Sequence, residues 1–284
     1  MAKGIIVLGN GFDLDLGLET SYASFAKSEQ WSMLMDNNPN SNNKDRLLGF
    51  LKNKYDVEKW VDIEAALLEY ALKNTHFKTV NYSNEDNKDY INLCKSLRSY
   101  LKKQQDYFIP SKESVASLLL KYLSKKTNNL KLYTFNYTQL NVLANSFDCT
   151  LKSDAVHIHG SLGDDGNIIL GIETNTPIDD HYSFLFKTQN RNYRHTDILK
   201  DLRNDDEYVF FGHSLNGMDY SYFLSLFNSL EHSSISTPKL TIITKDEEEE
   251  YKFKNFLRKQ NVSLQGLYSN SDPTFILTDE FYKK

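Results

Sequence analysis

Only two cysteines occur in the 284 residues, Cys94 and Cys149, far apart and without metal-ligand spacing. That scarcity argues against a disulfide scaffold and a structural zinc, and it fits a reducing cytosol. Long apolar runs are missing as well. The run at residues 5–8 is too short for a signal-peptide core, and no stretch of about 18 apolar residues follows it. The expectation is a soluble, cytoplasmic protein with no membrane attachment. No basic excess exists either: the net charge is −5, so nucleic-acid binding is not expected. Three familiar site motifs are absent. The residue three after Gly11 is Leu14, which breaks the dinucleotide fingerprint Gly-x-Gly-x-x-Gly. There is no Lys-bearing phosphate loop and no Gly-x-Ser-x-Gly elbow after a strand. Aromatic side chains are plentiful, with 18 Tyr and 17 Phe, and some are candidates to line a pocket.

The β-branched run at residues 5–8 reads as a buried strand that ends in Gly9-Asn10-Gly11, where a close turn is cheap and N–H groups can face a ligand. A helix is expected over residues 16–28, a surface loop over 36–43, a helix over 60–72, a linker over 81–87, then helices over 89–108 and 114–124. Further strands are expected at 130–135, 155–159, 168–172, 208–211 and 240–244, with a charged helix over 247–259 and a final pairing segment at 262–264. Short strands separated by helical runs predict an α/β fold. It is a Rossmann-like, mainly parallel sheet with helices on both faces and an inserted helical subdomain. On this reading residues 1–30 and 126–284 form the Rossmann-like nucleotide-binding domain, and 31–125 form the insertion.

Polar residues gather where the strands stop. Gly9-Asn10-Gly11-Phe12-Asp13, Asn136-Tyr137-Thr138, His157-Ile158-His159-Gly160 and Gly212-His213-Ser214 each follow a predicted strand. In an open α/β sheet that edge is where ligands bind. His159 is the leading candidate base, because a histidine at a strand end next to Gly160 can present its imidazole to a ligand, and imidazole suits general base work. His157 is read as its buried support. Asn136 offers a donor and an acceptor for a ribose hydroxyl or a water. Asp13 is read as orienting a ribose or an attacking group, or as capping a helix. His213 and Ser214 complete the wall, with Asp219 behind them. Asp62 and Glu64, two apart, make a poor carboxylate pair, whereas Trp60 and Glu64 share a helix face and are candidates to cover the site. No metal is expected, since only His157 and His159 cluster among seven histidines.

Five ordered motifs also carry a family resemblance: Gly9-Asn10-Gly11-Phe12-Asp13-Leu14, Trp60-x-Asp62-Ile63-Glu64, Thr134-Phe135-Asn136-Tyr137-Thr138, His157-Ile158-His159-Gly160-Ser161 and Gly212-His213-Ser214-Leu215. Together they resemble the bacterial phage abortive-infection AbiH family and, more distantly, the sirtuin-like NAD-binding domains. The resemblance implies antiviral defence, with NAD as ligand or substrate. It puts Gly9 and Gly11 at the diphosphate, Asn136 at the ribose beside the scissile bond, His159 as base, and Gly212 with Ser214 on the adenosine side. Asn10, Phe12, Tyr137 and Gly160 complete the candidate binding set, and Asp13 the catalytic one. Asn10 and Asp13 depart from the sirtuin-like pattern, and the four-cysteine zinc module of the deacylases is absent. NAD hydrolysis is therefore expected rather than lysine deacylation. A non-catalytic nucleotide sensor is the alternative. A metal-dependent nuclease or phosphatase using His157, His159 and Asp13, and an interaction module working through the helical block, stand behind it. Expected partners are a small-molecule nucleotide, a phage-derived or host trigger, and a second copy of the chain in a homo-oligomer.

Overall fold

The strand β1 (Gly4–Leu8) is buried along its whole length, as expected where β-branched residues are covered on both faces of a sheet. The computed structural model describes residues 4–58, 62–74, 80–110, 113–125, 130–153, 155–163, 167–173, 177–193, 195–202, 206–215, 217–232, 238–271 and 273–283. After β1 come α1 (Asn10–Leu16), α2 (Tyr22–Phe25), α3 (Glu29–Asp36), α4 (Leu47–Glu58), α5 (Ile63–Lys73), α6 (Val80–Asp106) and α7 (Val115–Lys125). The chain continues through β2 (Leu130–Thr134), α8 (Leu140–Asn145), β3 (Val156–His157), α9 (His195–Asp201), β4 (Glu207–Phe211) and α10 (Leu224–His232). It closes with β5 (Lys239–Thr244), α11 (Glu247–Lys259), α12 (Leu264–Ser271), β6 (Thr274–Leu277) and α13 (Thr278–Phe281).

The six strands pair in parallel in the order β3-β2-β1-β4-β5-β6. This is a Rossmann-like α/β sheet, and its strand order reverses between β1 and β4. Alternation along the strands supplies a core on each face. Ile6 and Leu8 of β1 join Phe12, Leu16, Leu120, Leu132, Leu143 and Phe211 in one cluster, which draws on α1, α7 and α8. On the other face Phe210 packs on Phe223 and on Phe227 of α10. Two compact units can be distinguished. One comprises Met1–Leu18, Phe108–Ser161 and Arg194–Lys284 and holds the whole sheet; the other comprises Glu19–Tyr107 and Leu162–Tyr193.

Several expectations are corrected. The helix expected over 16–28 instead begins at Asn10 and stops at Gly17, whose φ of 98° and N–H bonds to the Asp13 and Leu14 carbonyls end it; α2 then restarts on a Ser21 cap. The linker expected over 81–87 lies within α6. One polar residue of that stretch points inward: Asp86 is fully buried and accepts from Arg46 Nε at 3.0 Å, the Leu47 N–H at 3.3 Å and Tyr70 Oη at 2.6 Å. Residues 168–172 are buried but form no strand. The Ile172 N–H bonds the Leu185 carbonyl at 2.7 Å, in an isolated bridge between Ile172 and Phe186. The segment 262–264 leads into α12, with Ser263 Oγ accepting from the Gly266 N–H at 3.1 Å. The last strand is β6, in a tail whose sequence carries little alternation.

Candidate functional site

Register brings the strand ends level. Leu8 faces both Thr134 and Phe211, and Thr134 faces His157. The segments starting at Gly9, Phe135, Ile158 and Gly212 therefore leave the sheet along one edge, the carboxyl edge, on both sides of the β1/β4 reversal.

At that reversal two turns pack backbone against backbone. The Gly9 N–H donates to the Phe211 carbonyl and the Gly11 N–H to the Gly212 carbonyl, both at 2.9 Å. A Cβ on Gly9 would lie 2.6 Å from His213 Cα, and one on Gly11 2.6 Å from Gly212 Cα. Gly212, at φ 61°, would bring a Cβ to 2.4 Å from the Gly11 backbone. Close approach is thus what these three glycines provide. The Gly9 and Gly11 N–H groups, read in the sequence as facing a ligand, are directed at protein carbonyls instead. Asn10 is exposed on the first turn of α1. Phe12, expected among the binding residues, is a core side chain: it is 0 % exposed and meets Phe211 edge-on at 5.3 Å.

Asp13 and Asn136 do come together, across two strand ends. Asn136 Nδ2 donates to Asp13 Oδ1 at 2.8 Å and to the Gly9 carbonyl at 3.0 Å, while Thr138 Oγ1 donates to Asp13 Oδ2 at 2.8 Å. Two acceptors around one nitrogen fix which way the amide points. Asp13 is 1 % exposed. Both of its oxygens are engaged, so its place here is to clamp the turn after β1 to the turn after β2. His157 Nδ1 lies 3.0 Å from the Asn136 carbonyl, an acceptor, so that nitrogen carries the proton. His157, His159 and Asp13, the alternative metal set, do not gather as a ligand group.

His159 belongs to a second cluster. It is 4 % exposed, and its Nε2 lies 3.4 Å from Asp219 Oδ1, while His213 Nε2 lies 3.9 Å from Asp219 Oδ2. Both imidazoles meet the ring of Phe135 edge-on, at centroid distances of 5.1 and 4.4 Å. Gly160, at φ 80°, turns the chain immediately after His159. Tyr137 is half-buried and Ser214 exposed. Asp219 sits on a short 3₁₀ segment, Gly217–Tyr222, and its side chain is 21 % exposed. Its neighbour Tyr220 is buried, which pushes its phenol up to about 12 and keeps it neutral. Sequence reasoning named Phe135 only as a member of the Thr134–Thr138 motif, without a role of its own, and gave Asp219 a background place because it lies in no strand-end motif.

The remaining candidates are engaged elsewhere. Asp62 caps α5 by accepting from the Ala65 N–H at 3.1 Å. Glu64 holds the buried Lys187, with Nζ 3.1 Å from Oε1, and accepts from the Gly171 N–H at 3.2 Å. Trp60 lies outside the described residues.

Chemically, the His159 cluster offers a buried imidazole beside a carboxylate, which is equipment for moving a proton. The Asp13 cluster offers rigidity. A search of the curated proteins finds no match to the chain. Residues 5–238 match the family model described as "Bacteriophage abortive infection AbiH", a span that takes in the strand-end segments of both clusters. The chain therefore belongs to the AbiH family of bacteriophage abortive infection.

Proposed function

We propose that the protein acts in phage defence by binding NAD at the carboxyl edge of its sheet and hydrolysing the nicotinamide–ribose bond, with His159 as the base. The observation that carries the reading is the His159–Asp219 pair, a buried imidazole with a carboxylate 3.4 Å from Nε2, set beside the reversal of strand order. Water attacks the ribose C1′, the C1′–N bond breaks and its electron pair leaves with nicotinamide. The proton from the water goes to the imidazole. Asp219 then faces the cation so formed, which is the role an orienting carboxylate plays in proton transfer.

Because the Gly9 and Gly11 N–H groups bond protein carbonyls, the diphosphate is assigned to exposed side chains at the same edge, Asn10 and Ser214. Asn136, whose Nδ2 is engaged on Gly9 and Asp13, is left to meet a ribose hydroxyl or the water through Oδ1, an acceptor.

The test is release of nicotinamide and ADP-ribose from NAD, using protein from resting and from phage-infected cells. Turnover should fall about 10²-fold or more in His159→Ala. A variant as active as the native chain removes His159 from the role. Stoichiometric NAD binding with no turnover in either preparation makes the protein a sensor.

A further inference from the structure

Leu215 is the unexpected residue at this edge. It is fully buried, yet it adopts φ 52°, a left-handed conformation that strains a bulky side chain. That backbone directs the Leu215 N–H at His213 Nδ1, 3.1 Å away. A backbone N–H is always a donor, so Nδ1 of His213 is the acceptor and the ring proton of the neutral imidazole sits on Nε2. His213 Nε2 is in turn the atom that faces Asp219 Oδ2, at 3.9 Å, while Oδ1 faces His159 Nε2 at 3.4 Å.

We infer that Leu215, His213 and Asp219 form a positioning chain that sets the tautomer and ring orientation of His159. Each link dictates the next. The strained backbone N–H fixes His213 as an Nε2–H donor, and its positive edge keeps the Asp219 carboxylate turned between the two rings. The carboxylate then holds the ring proton of His159 on Nε2, leaving Nδ1 as the nitrogen that takes up a proton. Phe135, edge-on to both imidazoles, prevents either ring from swinging away. The arrangement also argues against a metal ligand at His213: with Nδ1 accepting, its Nε2 carries hydrogen and has no lone pair to give.

The inference uses His159 as base from the proposed reading, but its physical content is the tautomer, which is measurable without turnover. Long-range ¹H–¹⁵N spectra of the full chain with ¹⁵N-labelled histidine, recorded where the rings are neutral, should show Nε2–H for both His159 and His213. In Asp219→Asn the amide can donate to His159 Nε2, and His159 should move to the Nδ1–H form. NAD turnover should then fall about 10²–10⁴-fold with KM changed less than threefold, as expected when a base is present in the wrong tautomer. An Nδ1–H signal on either ring of the native protein overturns the inference even if the variant fails to fold. An unchanged His159 tautomer in a folded Asp219→Asn protein overturns it as well. If the native protein binds NAD without turnover but the tautomers behave as stated, the hydrolase reading fails and the positioning chain stands.

Discussion

Two aspartates at the same sheet edge are used in opposite ways. Asp13 is almost wholly buried, and each of its oxygens accepts a bond of 2.8 Å, from Asn136 and from Thr138. Asp219 is part-exposed and faces two imidazoles at 3.4 and 3.9 Å, longer than a direct hydrogen bond prefers. A carboxylate whose two oxygens accept from a buried amide and a buried hydroxyl ties two turns together and rigidifies the fold. A carboxylate beside titratable rings responds when a proton arrives. The lesson is that burial and polar partners alone do not mark a reactive group. What separates the holding half of this edge, Gly9 to Asp13 with Asn136, from the candidate reacting half around His159 is whether the partners can change charge.

The contact between the two glycine turns should carry the largest effect. Gly212→Ala puts a methyl group 2.4 Å from the Gly11 backbone at a left-handed φ, so strain and overpacking add. Urea unfolding should show a loss of about 4 kcal/mol. Full stability in that variant would mean the two turns are not held together as described.

Next, Asp13→Ala leaves the Asn136 amide and the Thr138 hydroxyl without their buried acceptor and should cost about 3 kcal/mol. Asp219→Ala should stay within about 1 kcal/mol of the native chain in the same titration, because a part-exposed group is not needed to close a network. Equal losses for the two would erase the distinction between them.

The smallest effect belongs to a third carboxylate, in the other unit. Asp89 is buried, Asn38 Nδ2 bonds its Oδ1 at 2.7 Å, and its Oδ2 has no hydrogen-bond partner among the described residues. Burial pushes its carboxyl up, against the opposing pull of the Asn38 bond and the Arg46 charge. With the folded value above the unfolded one, what Asp89 contributes to stability is present below the unfolded value and is lost as pH rises through the folded value. Asp89→Asn should therefore be the more stable protein near pH 7, and the difference should close as pH falls toward the acid limb. A gap that widens on acidification contradicts this account.

Strong local signals made much of the frame legible. Short apolar, β-branched and aromatic runs located β1, β2, β4 and β5 within one or two residues of where they lie. The acidic start and basic end of α11 (Glu247–Lys259), with Asp246 as its cap, matched the helix dipole closely enough to place both ends. Elements with mixed signals were misread. The Asn- and Asp-rich start of α6 looks like a loop by composition, yet Asp86 within it is buried and bonds Arg46. Residues 168–172 look like a strand, since apolar β-branched residues satisfy burial whether or not a ladder forms.

At the edge itself, the order of motifs already located Gly9, Asn136, His159 and Gly212 at strand ends, because a strand must stop where turn residues begin. What each residue does there was decided by tertiary structure alone. Glycines written in a phosphate-loop style serve the contact of two turns, and Phe12 is a core residue. Asp219, distant in sequence from His159 and on a 3₁₀ segment without a motif, comes to lie 3.4 Å from its Nε2. The physical reason is range. Strand, turn and cap preferences are local and are written in consecutive residues. The pairing of a proton acceptor with the group that orients it depends on parallel register across β1, β2, β3 and β4, which no single stretch of sequence contains.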